Sequence, residues 1–72
     1  MGQMSGLDFK IREMAERIRE LREITRFTPE EMAMKTDCDV AEYLACERGE
    51  RDLNFAFIYR CALAFGVDVT DI

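Results

Sequence analysis

The feature that most constrains this chain is a set of helix-boundary signals packed between Thr28 and Gly49. Thr28 precedes Pro29, and Glu31 follows in the same turn. The threonine hydroxyl can cap the first free amides, proline has no N–H to lose at a helix start, and the glutamate can return to the Thr28 amide as a capping box. The spacing predicts a helix from Pro29 to about Thr36 with Met32 and Ala33 turned inward. Asp37 and Cys38 then form a turn, and Asp39 caps another helix that runs to about Glu47. Gly49, the residue type best suited to a left-handed backbone, ends it.

On either side the chain reads as longer helices. Leu7, Ile11, Met14, Ala15, Ile18 and Leu21 recur at three- and four-residue steps, which predicts an amphipathic helix from about Asp8 to Thr25. Glu13/Arg17, Arg12/Glu16 and Arg19/Glu23 stand four apart on its outer face, where they can pair across solvent. Arg22 falls inside the apolar stripe, where an unpaired charge is costly. Asn54 caps a helix from Phe55 to about Phe65 that Gly66 closes, with Phe55, Ile58, Cys61, Ala62 and Phe65 on one face. Thr70, Asp71 and Ile72 read as the first turn of a fifth helix. No stretch alternates like a strand, so the expected architecture is an all-α bundle of four to five helices. Residues 1–72 read as a single domain with a flexible N-terminal segment, 1–7.

Composition removes several function classes. The chain is 49% hydrophobic with four Gly and one Pro, which favours a folded, helix-rich domain. No apolar run reaches the roughly 20 residues of a membrane span, and the opening MGQMSG lacks a signal-peptide core, so a cytoplasmic protein without membrane partners is expected. Three cysteines and no histidine encode neither a disulfide framework nor a zinc site. Cys46 and Cys61 read as small apolar fillers facing the core, with Cys38 in the turn. No constellation for catalysis, metal or cofactor binding is present, so a non-enzyme is expected. The net charge of −5 is unevenly spread. From Thr28 to Glu47 a single base, Lys35, stands against Glu30, Glu31, Asp37, Asp39, Glu42 and Glu47.

At this point the joints between helices become recognisable. The stretch from Arg17 to Ile72 resembles the lambda-repressor-like, or XRE/Cro-type, helix-turn-helix family without a gap. The matching features are IRELRE in the first helix, T-x-E-E-M-A opening the second, ERGER closing the third, and ALAFGVDVTDI running through the fourth. The resemblance implies a sequence-specific, DNA-binding transcription regulator, usually a homodimer on paired half-sites, with its third helix in the major groove. It places the base-reading positions on Val40, Ala41, Glu42 and Ala45, with Asp39 near phosphates and Thr28 and Pro29 opening the second helix. Its phosphate-gripping loop falls on Arg48 and Arg51, and its structural ion pair on Arg22 and Glu47. Similar proteins often continue into a small-molecule-sensing cupin barrel, so an effector is implied only through a domain beyond residue 72.

The chemistry of the third helix departs from that pattern. Val40 and Ala41 can touch a thymine methyl but cannot fork to a guanine, and Glu42 can accept only from a cytosine amine. Pro29 lacks the bridging side chain often found at its position. Weak binding to double-stranded DNA is therefore expected of this domain alone. The alternative is a degenerate helix-turn-helix that serves as a protein–protein interaction or dimerisation module. Its support is the acidic third helix with Leu44 and Ala45, together with Phe57 and Leu63 off the expected core stripe. For Phe57 and Leu63 the competing expectation is packing against the N-terminal extension.

Overall fold

The computed structural model describes residues 6–72, and side chains from Asp8 onward. Four helices follow one another: α1 (Gly6–Thr25), α2 (Pro29–Thr36), α3 (Val40–Glu47) and α4 (Phe55–Phe65), with a 3₁₀ turn at Val69–Asp71. Residues 1–5 of the expected flexible segment lie outside the described residues. Gly6 and Leu7 are already helical, so α1 starts two residues before the expected Asp8. The anticipated fifth helix is realised as the short 3₁₀ turn, whose closing bond runs from the Ile72 amide to the Val69 carbonyl at 3.2 Å.

The capping signals set the boundaries. Glu31 N–H donates to Thr28 Oγ1 at 3.0 Å, and Thr28 N–H donates to Glu31 Oε1 at 2.8 Å, which closes the capping box of α2. Asn54 Oδ1 accepts from Phe57 N–H at 2.8 Å and starts α4. Gly49 and Gly66 take φ of 74° and 73° to end α3 and α4. Asp37, at φ 62° and ψ 50°, and Arg26, at φ 65°, do the same for α2 and α1 without the freedom of glycine.

The core lies where α2 packs on α3 and α4, with α1 laid across α3 and α4. Ile18, Met32, Tyr43 and Cys61 are fully enclosed, and Leu21, Ala33, Phe57 and Phe65 complete the cluster. The buried face of α4 agrees with the expected one at Cys61, Ala62 and Phe65, with Ile58 partly buried against the core, and differs at Phe55. Phe57 is buried, its ring 6.0 Å from that of Tyr43, whereas Phe55 is 68% exposed and stacks on Tyr59. The inward face is Phe57, Cys61 and Phe65 at i, i+4 and i+8, with Ala62 beside them, and Tyr43 favours Phe57 over Phe55 by offering it a ring to meet. Leu63 is 64% exposed, and the N-terminal extension expected against it lies largely outside the described residues. On α1 the ion pairs form at three-residue steps, Lys10–Glu13, Glu16–Arg19 and Arg17–Glu20, in place of the expected four-residue ones. All three are exposed, where pairing geometry is decided by small differences.

Candidate nucleic-acid interface

The joint between α1 and α3 is the most tightly determined polar feature. Arg22 Nε donates to Glu47 Oε2 at 2.6 Å, and Arg22 Nη2 donates to Glu47 Oε1 at 3.2 Å. Arg22 Nη1 also reaches the Phe27 carbonyl at 3.1 Å, and Tyr43 Oη donates to Glu47 Oε2 at 2.6 Å. The Arg22 side chain is 14% exposed and that of Glu47 6%, so the charges are compensated where water is scarce. The hydrogen bond to Glu47 raises the Arg22 pKa. Burial and then the bond to Glu47 hold the Tyr43 phenol far above its ordinary range. Glu47 thus fixes the end of α3 relative to α1, with both its oxygens engaged inside the domain.

α2, the left-handed Asp37 and α3 form the helix-turn-helix unit. The Thr36 hydroxyl donates to the Met32 carbonyl at 2.7 Å and lies 3.4 Å from Cys38 Sγ, which tightens the turn from inside. Thr28 is exposed and Pro29 half-buried at the start of α2. On α3, Asp39 and Ala41 are exposed, Glu42 and Ala45 are partly so, and Val40 packs against the core. Val40 is therefore at least half a structural residue, which its position beside the helix cap makes reasonable.

The two loop arginines are exposed, but each is already engaged. Arg48 makes a fork with Glu50, Nε to Oε2 at 3.0 Å and Nη2 to Oε1 at 3.1 Å. This pairing raises the Arg48 pKa and lowers that of Glu50. Arg51 Nη1 stands 3.6 Å from Glu42 Oε2, and the other oxygen of Glu42 accepts from the Asp39 amide at 3.2 Å. Glu42, assigned to base reading from the sequence, thereby also caps α3 and tethers the loop. Glu50 lies within the ERGER motif, and an acid two residues from a base in a tight loop is the signal in the sequence for this pairing.

Arg12, expected only as a surface partner of Glu16, meets the loop after α3. Its Cγ would lie 3.1 Å from a Cβ added at Gly49, so α1 presses closely on the loop, and the left-handed φ of 74° there favours glycine. A groove of about 560 Å³ beside this contact is lined by Arg12, Arg19, Arg48, Glu16 and Glu50. Its charges are mixed, which makes it a zwitterionic rather than a basic surface.

Among the described residues no group of His, Cys, Asp and Glu is placed to hold a metal ion, and no helix is long and apolar enough to cross a membrane. Cys61 is fully buried, and burial pushes its thiol up to about 12, while Cys38 and Cys46 are partly exposed free thiols.

The architecture and the α2–turn–α3 unit define a helix-turn-helix domain of the lambda-repressor-like type. The helix-turn-helix domain family matches residues 13–72, and the chain belongs to that family. Among solved structures, it is similar to the restriction-modification controller protein C.AhdI from Aeromonas hydrophila. The TM-score is 0.81 at 24% sequence identity, with 88% of this chain and 96% of that chain covered. No curated protein matches it.

Proposed function

We propose that this domain is the DNA-binding part of a transcription regulator, with α3 entering the major groove and the loop after it lying on phosphates. Membership in the helix-turn-helix family supports the reading, as does the likeness in fold to a restriction-modification controller. In this reading Thr28 and Pro29 sit against the backbone, and Val40, Ala41, Glu42 and Ala45 face base edges. Arg48 and Arg51 supply the phosphate grip, and a second subunit supplies the other half-site.

The observation that shapes the proposal is that both loop arginines are held by acids of the same surface, Arg48 by Glu50 and Arg51 by Glu42. DNA must compete with those carboxylates, so the isolated domain binds random duplex weakly and with a shallow salt slope. The test is a fluorescence-anisotropy titration of three forms against duplex DNA at several salt concentrations. Glu42→Arg with Asp39→Ser tightens binding and steepens the slope, and Arg48→Ala with Arg51→Ala abolishes binding. If the double arginine variant binds like the wild type, or the charge reversal has no effect, α3 and its loop do not face DNA. The protein-interaction reading then replaces this one; the large apolar side chains exposed on α4 are what favour it.

A further inference from the structure

A cavity of about 250 Å³ between α2 and α4 is lined by Lys35 of α2 and by Arg60, Leu63 and Ala64 of α4. It contains two bases and no acid. Four other cavities among the described residues each have three acids in their walls, as a chain of net charge −5 leads one to expect. We propose that the cavity between α2 and α4 binds a small amphiphilic carboxylate. Its anionic head lies between Lys35 and Arg60, and its apolar body covers Leu63 and Ala64.

Both cations are available because the fold gives neither an acid. Glu31, one turn before Lys35, is turned back to accept from the Thr28 amide at 2.8 Å. Lys35 Nζ instead stands 4.9 Å from the centre of the Phe27 ring, a contact that orders the side chain and leaves its charge unneutralised. α4 contains no acid, and the exposed Arg60 forms no ion pair or hydrogen bond among the described residues. Arg60 also borders the neighbouring cavity that holds Asp37, Glu42 and Asp52, yet it pairs with none of them, and Glu42 is taken by Arg51. Two like charges beside one cavity repel, and an anion between them removes that cost.

The rest of the wall decides the class of anion. Arg60, Leu63 and Ala64 are three and four residues apart, so they share one face of α4. Leu63 is 64% exposed, and an apolar body laid over it returns the water on its surface to the bulk. Neither Leu63 nor Ala64 has a side-chain donor, so the oxygens of a phosphate find only the two cations, whereas a carboxylate needs no more than those. At about 30 Å³ per water the space holds roughly eight, which suits a ligand of about eight to ten non-hydrogen atoms. A ligand of that size at a site open on one side is expected to dissociate with a constant on the order of 1 mM.

The test is a titration of the full chain with octanoate, followed by two-dimensional proton–nitrogen NMR in the absence of DNA, so it is independent of the DNA-binding proposal. Saturable shifts are expected at the amides of Lys35, Arg60, Leu63 and Ala64. Acetate, octanamide and inorganic phosphate are each expected to bind at least about tenfold more weakly, because each lacks either the apolar body or the carboxylate. At about ten times the dissociation constant octanoate is expected to raise Tm by about 5 °C or more. Lys35→Gln with Arg60→Gln is expected to raise the dissociation constant at least about tenfold, with circular dichroism confirming the helices, while Lys35→Arg with Arg60→Lys retains binding. Acetate binding as well as octanoate overturns the proposal in favour of a surface for acidic side chains of a partner protein. Equal binding of octanamide or phosphate, shifts centred on Phe55 and Tyr59, or unchanged binding by the double glutamine variant each overturns it as well.

Discussion

Replacing Arg22 by alanine tests the account of what holds α1 to α3. The guanidinium makes two hydrogen bonds to Glu47 and one to the Phe27 carbonyl, at 2.6, 3.2 and 3.1 Å. Removal leaves the Glu47 carboxylate, whose side chain is 6% exposed, with Tyr43 as its remaining partner. An uncompensated buried charge of this kind costs about 3–5 kcal/mol. The low end is appropriate because Tyr43 stays in place and Arg22 lies at the edge of the core. A domain of this size holds roughly 4–11 kcal/mol in all, so Arg22→Ala removes a quarter or more of its stability and lowers Tm by about 12 °C or more. Tyr43→Phe deletes one bond to a charged acceptor and is expected to cost about 1.5–3 kcal/mol. Because both donors serve one oxygen of Glu47, the double variant departs from additivity by at least about 0.5 kcal/mol. Urea denaturation followed by far-ultraviolet circular dichroism suits a chain without tryptophan. A loss below about 1 kcal/mol for Arg22→Ala, or strict additivity, refutes the picture of a shared buried carboxylate.

Two further outcomes follow from backbone and thiol chemistry. Arg26→Gly, at a position where φ is 65°, is expected to stabilise by about 0.5–1 kcal/mol through relief of the left-handed strain, and a fall in Tm contradicts this. Cys61 is protonated in the fold with its pKa raised to about 12 from 9.0, so its contribution is complete below about pH 9 and is lost as pH rises toward 12. The urea midpoint should therefore fall between pH 8 and pH 10.5, and a thiol reagent should label Cys38 and Cys46 in the native state but Cys61 only on unfolding. Rapid native labelling of Cys61 is incompatible with its burial.

Much of the fold was legible because its boundaries depend on local chemistry. Thr28, Pro29 and Glu31 determine a helix start among themselves, and Asn54 with Gly66 does the same for both ends of α4. The inward face of α4 was less legible because periodicity leaves two overlapping stripes in FAFIYRCALAF. The choice belongs to Tyr43, which is distant in sequence and enters the core only after α3 is placed. The candidate interface was legible in position but not in pairing. Which base meets which acid depends on loop geometry after Glu47, where Glu50 folds back on Arg48 and Arg51 reaches Glu42.

That pairing separates the shape of the domain from its grip on DNA. The shape is decided by enclosed residues such as Ile18, Met32 and Tyr43, and none of them carries a net charge. The outer face of α3 adds little to the core, so acids there cost the fold almost nothing, and Glu42 even contributes to the cap. Exposed pairs such as Arg48–Glu50 and Arg51–Glu42 are worth at most about 1 kcal/mol, so a phosphate can displace the carboxylate from either arginine. Each displacement frees a carboxylate that gathers a cation from solution as the phosphate releases one. The counterion gain that normally drives such contacts is then largely cancelled. In the proposed DNA-binding reading, weak affinity and a shallow salt slope have one cause, the partners of two arginines, and need no distortion of the helix-turn-helix itself.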